Sequence, residues 1–422
     1  MIPFNRAPLI GTEEGYIAVA AKASNLCGNG AFTQRCQKYI QNLMGGSPVF
    51  MTTSCTSSLE LAAILTNIQP GEEVILPSFT FVSSVNAFVL RGAIPVMVDI
   101  EPNHMDIDHT KIEAAITPKT RVIVPVHYGS VACNMDAIMA IAEKHNLIVV
   151  EDAAPSLAAT YKNKALGSIG HMGCFSFHET KNFTAGGQGG AIVINDPKFL
   201  ARAEIVYDNG TNRWQFFRGE IRSYEWVDIG SNFVMSEIQA AYLWAQLEVA
   251  DQITARRRQL CGAYDAALRP LAESGQIRLF DNLPGREHNG HVFFIKLQST
   301  ELRDDLQKHL KEKGITASPH YVPLHPRDIF GKLGRFVGKD VFTTAESDVM
   351  LRLPLFFGLS DSEQNVVITH VRRFLNGVTS AKIHDGVSVK ESVDGEGVAG
   401  NSVAKDVLWK RVNGQGGHVV MS

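Results

Sequence analysis

Between about residues 45 and 195 the chain alternates short, almost wholly apolar runs with segments of helical period, and this alternation most constrains the fold. The runs are EEVILP (72–77), IPVMVDI (94–100), RVIVPV (121–126), LIVVED (147–152), MGCFSF (172–177) and GAIVIN (190–195). Their length and β-branched content predict strands. Between the earlier runs lie SSLELAAILTNI (57–68) and MDAIMAIAEKHN (135–146), which read as helices. Strands apolar on both faces need cover on both, and helices that connect parallel strands supply it. The expectation is an α/β fold with a mostly parallel central sheet. Ligands of such sheets bind beyond the carboxyl ends of the strands. The residues that follow each run therefore carry the search for chemistry.

Downstream, DNGTNRWQFFRGEIRSYEWVD (208–228) is polar and has no clear period. A long helical run from Ser236 to about Leu268 leads out of the large domain. HVFFIKL (291–297), ELRDDLQKHLKEKG (301–314), ITASPHYV (315–322) and DSEQNVVITHVRRFLNG (361–377) then predict a smaller α+β domain. The expected division is residues 1–250, 251–377 and a Gly-, Val- and Ser-rich tail, 378–422, without sustained period and expected to be poorly ordered. At 422 residues the chain is long enough for a large core. With 40 basic and 43 acidic side chains it has no global charge that would draw it to nucleic acid or an anionic membrane. No run is long and apolar enough for a membrane span, and the start does not read as a secretory signal. The six cysteines form no C-x-x-C pair, so neither a metal site nor a disulfide framework is expected, and the reducing cytoplasm is the expected compartment.

Four local features carry chemistry. TTSCTSSLELA (52–62) sets hydroxyls before a helix, with Ser57 and Glu60 spaced as a capping box. Backbone N–H groups at a helix start make an anion cradle, although a Ser/Thr-rich cap needs no ligand. Glu151-Asp152 ends an apolar strand, where an acid costs desolvation unless a cation or several donors meet it. It suits either a helix cap or a partner for a protonated ring nitrogen. CFSFHETKNFTAGGQGGAIVI (174–194) places Ser176, His178 and Lys181 before a glycine-rich turn. In a partly dry site such a lysine serves as amine nucleophile or proton carrier; on a surface it is merely solvated. PSFTFVSS (77–84) offers Phe79 and Phe81, either of which could stack on a flat heteroaromatic ring or pack in the core. Phosphate cradle, stacking platform, buried acid and amine are together the requirements of a pyridoxal phosphate site.

With these features, the stretches LCGNGAFTQRCQ, TTSCTSSLELA, PSFTFVSSVNAFVLRGA, TRVIVPVHYGSVACNMD, IGHMGCFSFHETKNFTAGG, GTNRWQFFRG and SEIQAAYLWAQLE resemble the DegT/DnrJ/EryC1/StrS sugar-nucleotide aminotransferases. The resemblance runs from the N-terminus to about residue 376. It implies a fold-type I pyridoxal 5′-phosphate-dependent transferase with a large and a smaller C-terminal domain. Lys181 matches the lysine that carries the cofactor, Asp152 the acid facing the pyridine nitrogen, and Phe81 the stacking position. Thr56, Ser57 and Ser176 match phosphate-binding positions. Asn232 matches an asparagine that reaches the phosphate of the neighbouring subunit, which implies a homodimer with shared sites. Within the family the likeness is to the enzymes that make dTDP-4-amino-4,6-dideoxygalactose for enterobacterial common antigen. It thus implies L-glutamate as donor and a dTDP-4-keto-6-deoxyhexose as acceptor.

His320 and His325 match a stretch near the substrate in relatives, and the diphosphate of a nucleotide sugar needs donors that Arg213 or Arg218 could supply. Two departures concern cofactor tuning. Pro155 stands where the family has Gln or Glu after EDAA, and Gln188 replaces the acid of G-E-G-G. They also give a non-catalytic regulator on the same fold its support, which the intact Lys181 opposes. Lys181 likewise argues against the dehydratase branch, in which histidine replaces the lysine. A Rossmann dehydrogenase would need G-x-G-x-x-G where this chain has TTSCTSS. The sequence leaves open the gluco epimer, a 3-amino product and the nucleotide.

Overall fold

The computed structural model describes residues 1–23, 25–280 and 283–388, with side chains through 378. Eight strands form the central sheet in the order Val49–Thr52, Gly190–Ile194, Met172–Ser176, Ile148–Asp152, Thr120–Ile123, Glu73–Pro77, Ile94–Val98 and Arg335–Phe336. Gly190–Ile194 runs antiparallel to both neighbours, and every other pairing is parallel. The six expected strands are all present. Val49–Thr52 and Arg335–Phe336 are additions, too short for periodicity to reveal.

The sheet is covered on both faces. Val74 and Leu76 pack with Leu59, Leu61 and Phe88, whereas Ile75 between them packs with Ile112, Ile138 and Leu147. This alternation is the strand period expressed as two cores. Removing each such side chain from water stabilises the fold by roughly 1.5–3 kcal/mol.

Helix starts follow local capping chemistry. Asn134 caps Met135–His145 by accepting from Ala137 N at 3.3 Å, and Asn146, in the left-handed region at φ 51°, ends that helix. The capping box expected at Ser57 and Glu60 is not formed. The helix begins at Cys55, and its cap is Ser54, whose hydroxyl accepts from Ser57 N at 3.0 Å. The box occurs instead at Ser236 and Gln239, where both halves are made. The single helical run expected from Ser236 is two helices, Glu237–Leu247 and Ala250–Glu273.

Residues Met1–Leu375 form one compact unit. In the second helix, Ala250 and Ile253 join the core against Val49, Met51 and Phe175, while Leu260, Tyr264 and Leu268 pack with Phe293, Leu351 and Phe356. Ile2 belongs to that second core as well: its N–H donates to Gly314 O at 2.8 Å and its carbonyl accepts from Thr316 N at 3.0 Å. Ile2 thus packs with the smaller domain, whereas Ala20, Phe32 and Ile40 further along the N-terminal segment join the core around Met51 and Phe175. The final helix, Asp361–Ser388, continues past the expected close at 377; the rest of the expected tail lies outside the described residues.

Candidate active site

The carboxyl ends of the strands open onto a cavity of about 440 Å3, lined by residues that include Cys55, Thr56, Phe81, Asp152, Ser176, Lys181, His320 and Arg352. The first wall is the start of the helix Cys55–Leu65. Thr53 and Ser54 bond the Ser57 hydroxyl at 2.8 and 2.9 Å, and Ser54 also takes the Ser57 N–H. Ser58 N donates to Ser54 O at 3.1 Å. The N–H groups of Cys55 and Thr56 precede the first intrahelical bond and have no partner among the described residues. Thr56 Oγ1 lies 2.8 Å from Ser83 Oγ, on the next wall.

Asp152 closes its strand. It accepts from Ser84 Oγ at 2.6 Å and from Ala154 N at 3.1 Å, one bond to each oxygen. Glu151, one residue earlier, points to the opposite face. It meets His127 Nε2 at 2.9 Å and accepts from the N–H groups of Gly167, Ile169 and Gly170 at 2.6–2.8 Å. Because His127 Nδ1 accepts from Cys133 N, the His127 proton lies on Nε2 and is donated to Glu151. Glu151 is therefore saturated and structural, whereas Asp152 keeps acceptor capacity toward the cavity.

Lys181 lies in the loop after Met172–Ser176. The loop is folded back by Phe177 N to Gly189 O at 2.8 Å and by Glu179 N to Gly187 O at 3.0 Å. The latter bond uses Gly187 at φ 129°, a conformation side chains rarely adopt. Burial is the main cause that holds the Lys181 amine below the ordinary lysine range, and the Arg352 charge adds to it; Cys55 and Asp152 oppose the shift. Of the two phenylalanines, Phe79 is fully buried, edge-on to Tyr128 at 4.8 Å. Phe81 is 53% exposed and lines the cavity. His320 is held down to about 3, chiefly by burial, so its ring is neutral; its Nδ1 is buried without a hydrogen-bond partner.

Residues 9–372 match the DegT/DnrJ/EryC1/StrS aminotransferase family. The chain belongs to that family. It is 34% identical over 379 residues to the spore coat polysaccharide biosynthesis protein SpsC of Bacillus subtilis, covering 88% of this chain and 96% of the relative. It is 33% identical over 374 residues to the GDP-perosamine synthase of Caulobacter vibrioides, covering 87% and 96%. Among solved structures it resembles the aminotransferase TlmJ from Streptoalloteichus hindustanus, with a TM-score of 0.82, 27% identity and coverage of 90% and 100%. The pyridoxamine phosphate form of the sugar aminotransferase Spr1654 from Streptococcus pneumoniae gives 0.80 at 25% identity, covering 90% and 100%.

The aminotransferase is thus a pyridoxal phosphate-dependent enzyme that acts on sugars, and its cavity fits the cofactor. Unengaged N–H groups at a helix start suit a phosphate, an uncovered aromatic face suits a flat ring, and Asp152 offers a carboxylate with free lone pairs. Of the residues expected at the site, the structure brings together Lys181, Asp152, Thr56, Phe81, Ser176 and His320. It does not bring Ser57, Arg213 or His325 to this cavity, and Asn232, expected at the phosphate of the neighbouring subunit, also lies outside it. Ser57 has both its N–H and hydroxyl engaged by its own cap. Asn232 is exposed and bridged to Asp208. Arg213 pairs with Asp208 at 3.5 Å and stands over Tyr224. His325 bonds Ser78 Oγ at 2.7 Å and Asp340 at 3.1 Å. Arg218, the alternative to Arg213, is engaged by Glu204 and Glu220.

Sequence reasoning missed Tyr128, His291, Tyr321 and Arg352, which also line the cavity. Tyr128 follows RVIVPV, where the rule about strand ends already pointed. Arg352 carried a signal of its own: a lone cation inside the apolar run MLRLPLFF. Among the described residues no helix is long and apolar enough to cross a membrane.

Proposed function

We propose that the aminotransferase moves the amino group of L-glutamate onto C4 of a dTDP-4-keto-6-deoxyhexose, giving dTDP-4-amino-4,6-dideoxygalactose for surface polysaccharide. The observation that carries amino transfer is the meeting of Lys181 and Asp152 in one cavity, beside an uncovered Phe81 and a helix start with unengaged N–H groups. The ordered sequence motifs support the choice of sugar. The SpsC relative is named for polysaccharide synthesis and the perosamine synthase for a GDP-linked sugar, which supports a nucleotide-linked substrate and leaves the nucleotide to be tested.

When bound, pyridoxal phosphate supplies an aldehyde and an electron-accepting ring that carry the amino group between substrates. Cys55 N, Thr56 and Ser176 would hold its phosphate, Phe81 would stack on its ring, and Asp152 would keep its ring nitrogen protonated. Ser84 and Ala154 orient that carboxylate. Lys181 takes a proton from the α-carbon of the donor and delivers one at the sugar carbon that receives the amine; its lowered pKa makes the neutral amine accessible. The neutral His320, with Nδ1 unpartnered, meets a sugar hydroxyl.

Assembly as a homodimer with shared sites completes the reading. Phe217, Trp226, Val227 and Ile229 are exposed on the same segment that leads to Asn232, an apolar surface suited to a second copy. A nucleotide-sugar substrate and six unpaired cysteines support a cytoplasmic enzyme as part of this reading. Mass and NMR analysis of the product formed from glutamate and a panel of dTDP-, UDP- and GDP-keto sugars tests the proposal. A 3-amino or gluco product, or preference for another nucleotide, replaces the stated product; no aminated sugar from any of them refutes it.

A further inference from the structure

We propose that Arg352 receives the carboxylate of the amino donor. The inference rests on reading the cavity as the place where an amino acid gives up its amine.

Arg352 sits in the strand Met350–Leu353, anchored by backbone bonds with Ser318 at 3.0 and 3.1 Å. Its guanidinium stacks on Phe4, 4.6 Å from the ring centroid, and its side chain lines the cavity. Nε is buried and has no hydrogen-bond partner, and none of the ion pairs among the described residues includes Arg352. Other cations in similar settings are answered. Lys296 pairs with Glu346 at 2.9 Å, Arg335 with Glu73 at 3.0 Å, and Arg257 donates to the carbonyls of Gly290, His291 and Leu355. A guanidinium left without an acid at a cavity wall is a site for an anion that the protein does not supply.

The position selects the anion. In that reading phosphate has the start of the helix Cys55–Leu65. Arg352 is close enough to Lys181 for its charge to depress the amine. A carboxylate of an amino acid is bonded directly to the carbon whose proton Lys181 removes. The diphosphate of a nucleotide sugar is separated from the reacting carbon by the sugar ring. The cation beside Lys181 therefore meets the carboxylate, and Phe4 fixes the plane of its fork.

Glutarate, which has two carboxylates and no amine to react, is the probe. By calorimetry on the cofactor-loaded protein, wild type binds glutarate and Arg352→Gln weakens binding roughly ten- to hundredfold. The half-saturating concentration of glutamate rises in parallel, while amino transfer from the aminated enzyme to the keto sugar is little changed. Equal glutarate binding in both proteins overturns the assignment, as does an equal loss in both half-reactions. Should Arg352→Gln not fold, Arg352→Lys decides: it keeps the charge but loses the fork, and unchanged glutarate affinity overturns the proposal. Wild-type protein that binds no glutarate overturns it too. Protein that binds glutarate through Arg352 yet transfers no amine refutes the proposed reaction and leaves the carboxylate site standing.

Discussion

Gly190 tests whether the helix start is the anion cradle. It opens the strand that lies between Val49–Thr52 and Met172–Ser176. A Cβ there would stand 2.4 Å from Ser54 C, 2.5 Å from Ser54 O and 2.6 Å from Cys55 N, all backbone atoms of the helix cap. Ordinary contact begins near 3.4 Å, so Gly190→Ala must push the cap away by about 1 Å. Strand and helix are both tied by hydrogen bonds, and such overpacking costs about 1–3 kcal/mol. In cofactor-free protein that cost lowers Tm by roughly 1–4 °C in a chain of this length. The displaced atoms are the ones proposed to donate to phosphate. Losing one charge-assisted bond weakens pyridoxal phosphate roughly tenfold or more, beyond any change in stability. Gly262→Ala is the control, because nothing lies within 4 Å of its Cβ inside the helix Ala250–Glu273. It should be neutral or stabilising by about 0.4–1 kcal/mol. Thermal melts of the apo proteins and cofactor titrations measure both effects. A Gly190→Ala protein with wild-type cofactor affinity and melting temperature would refute the close approach and the cradle built on it.

Lys181→Ala should fold and show no turnover of keto sugar; measurable turnover removes Lys181 from the mechanism. In cofactor-free protein the depressed Lys181 amine binds its proton less tightly than in the unfolded chain, so stability rises with pH across the window below the ordinary lysine value of about 10.4. Denaturant titrations over that range should show this rise in wild type and a smaller one in Lys181→Met, and identical slopes would contradict the shift. Asp152→Asn should remain folded, since an amide oxygen can still accept from Ser84 or Ala154, and should slow transfer by roughly 10²–10³. A near-wild-type rate would make Asp152 a structural cap. Pro155 lines the cavity and its carbonyl accepts from Asn289 Nδ2 at 2.6 Å, so Pro155→Gln keeps its anchor and gains a donor. A modest shift in the pH titration of the visible band, with activity retained, is expected; an unshifted titration in well-folded protein removes this position from cofactor tuning.

The fold was legible where periodicity ran long enough to register. Ile148–Asp152 and Gly190–Ile194 announced themselves by continuous apolar residues, but VFMT at 49–52 offers four residues, and its place at the sheet edge comes from pairing with Gly190–Ile194. The break between Leu247 and Ala250 was hidden because EVADQ keeps helical propensity across it. At the site, motifs drew the eye to clustered hydroxyls and glycines. Ser57 was as conspicuous in sequence as Thr56, yet one residue of helical rotation turns it onto Thr53 and Ser54. Arg352 lay outside every cluster the motifs marked, 171 positions after Lys181 in the chain, and only packing of the second core on the first brings the two to one cavity.

Glu151 and Asp152 show why an acid at a strand end could be flagged but not assigned. Both end the same apolar run, and both pay desolvation unless donors meet them. Strand alternation sends them to opposite faces, so at most one can look into a cavity beyond the sheet edge. Which one does so depends on what the neighbouring loops present. The turn at 167–170 aims three N–H groups at Glu151, and His127 adds a fourth donor, leaving that carboxylate no capacity for a ligand. Asp152 receives two donors, one per oxygen, enough to fix its plane but not to satisfy it. A buried carboxylate held in orientation yet short of partners is poised for a cation that the chain itself lacks there, and a protonated ring nitrogen is such a cation. The acid proposed to face the ring nitrogen is distinguished from its neighbour by the donors that are missing, which depend on residues far along the chain and cannot be counted from the run EDAAP alone.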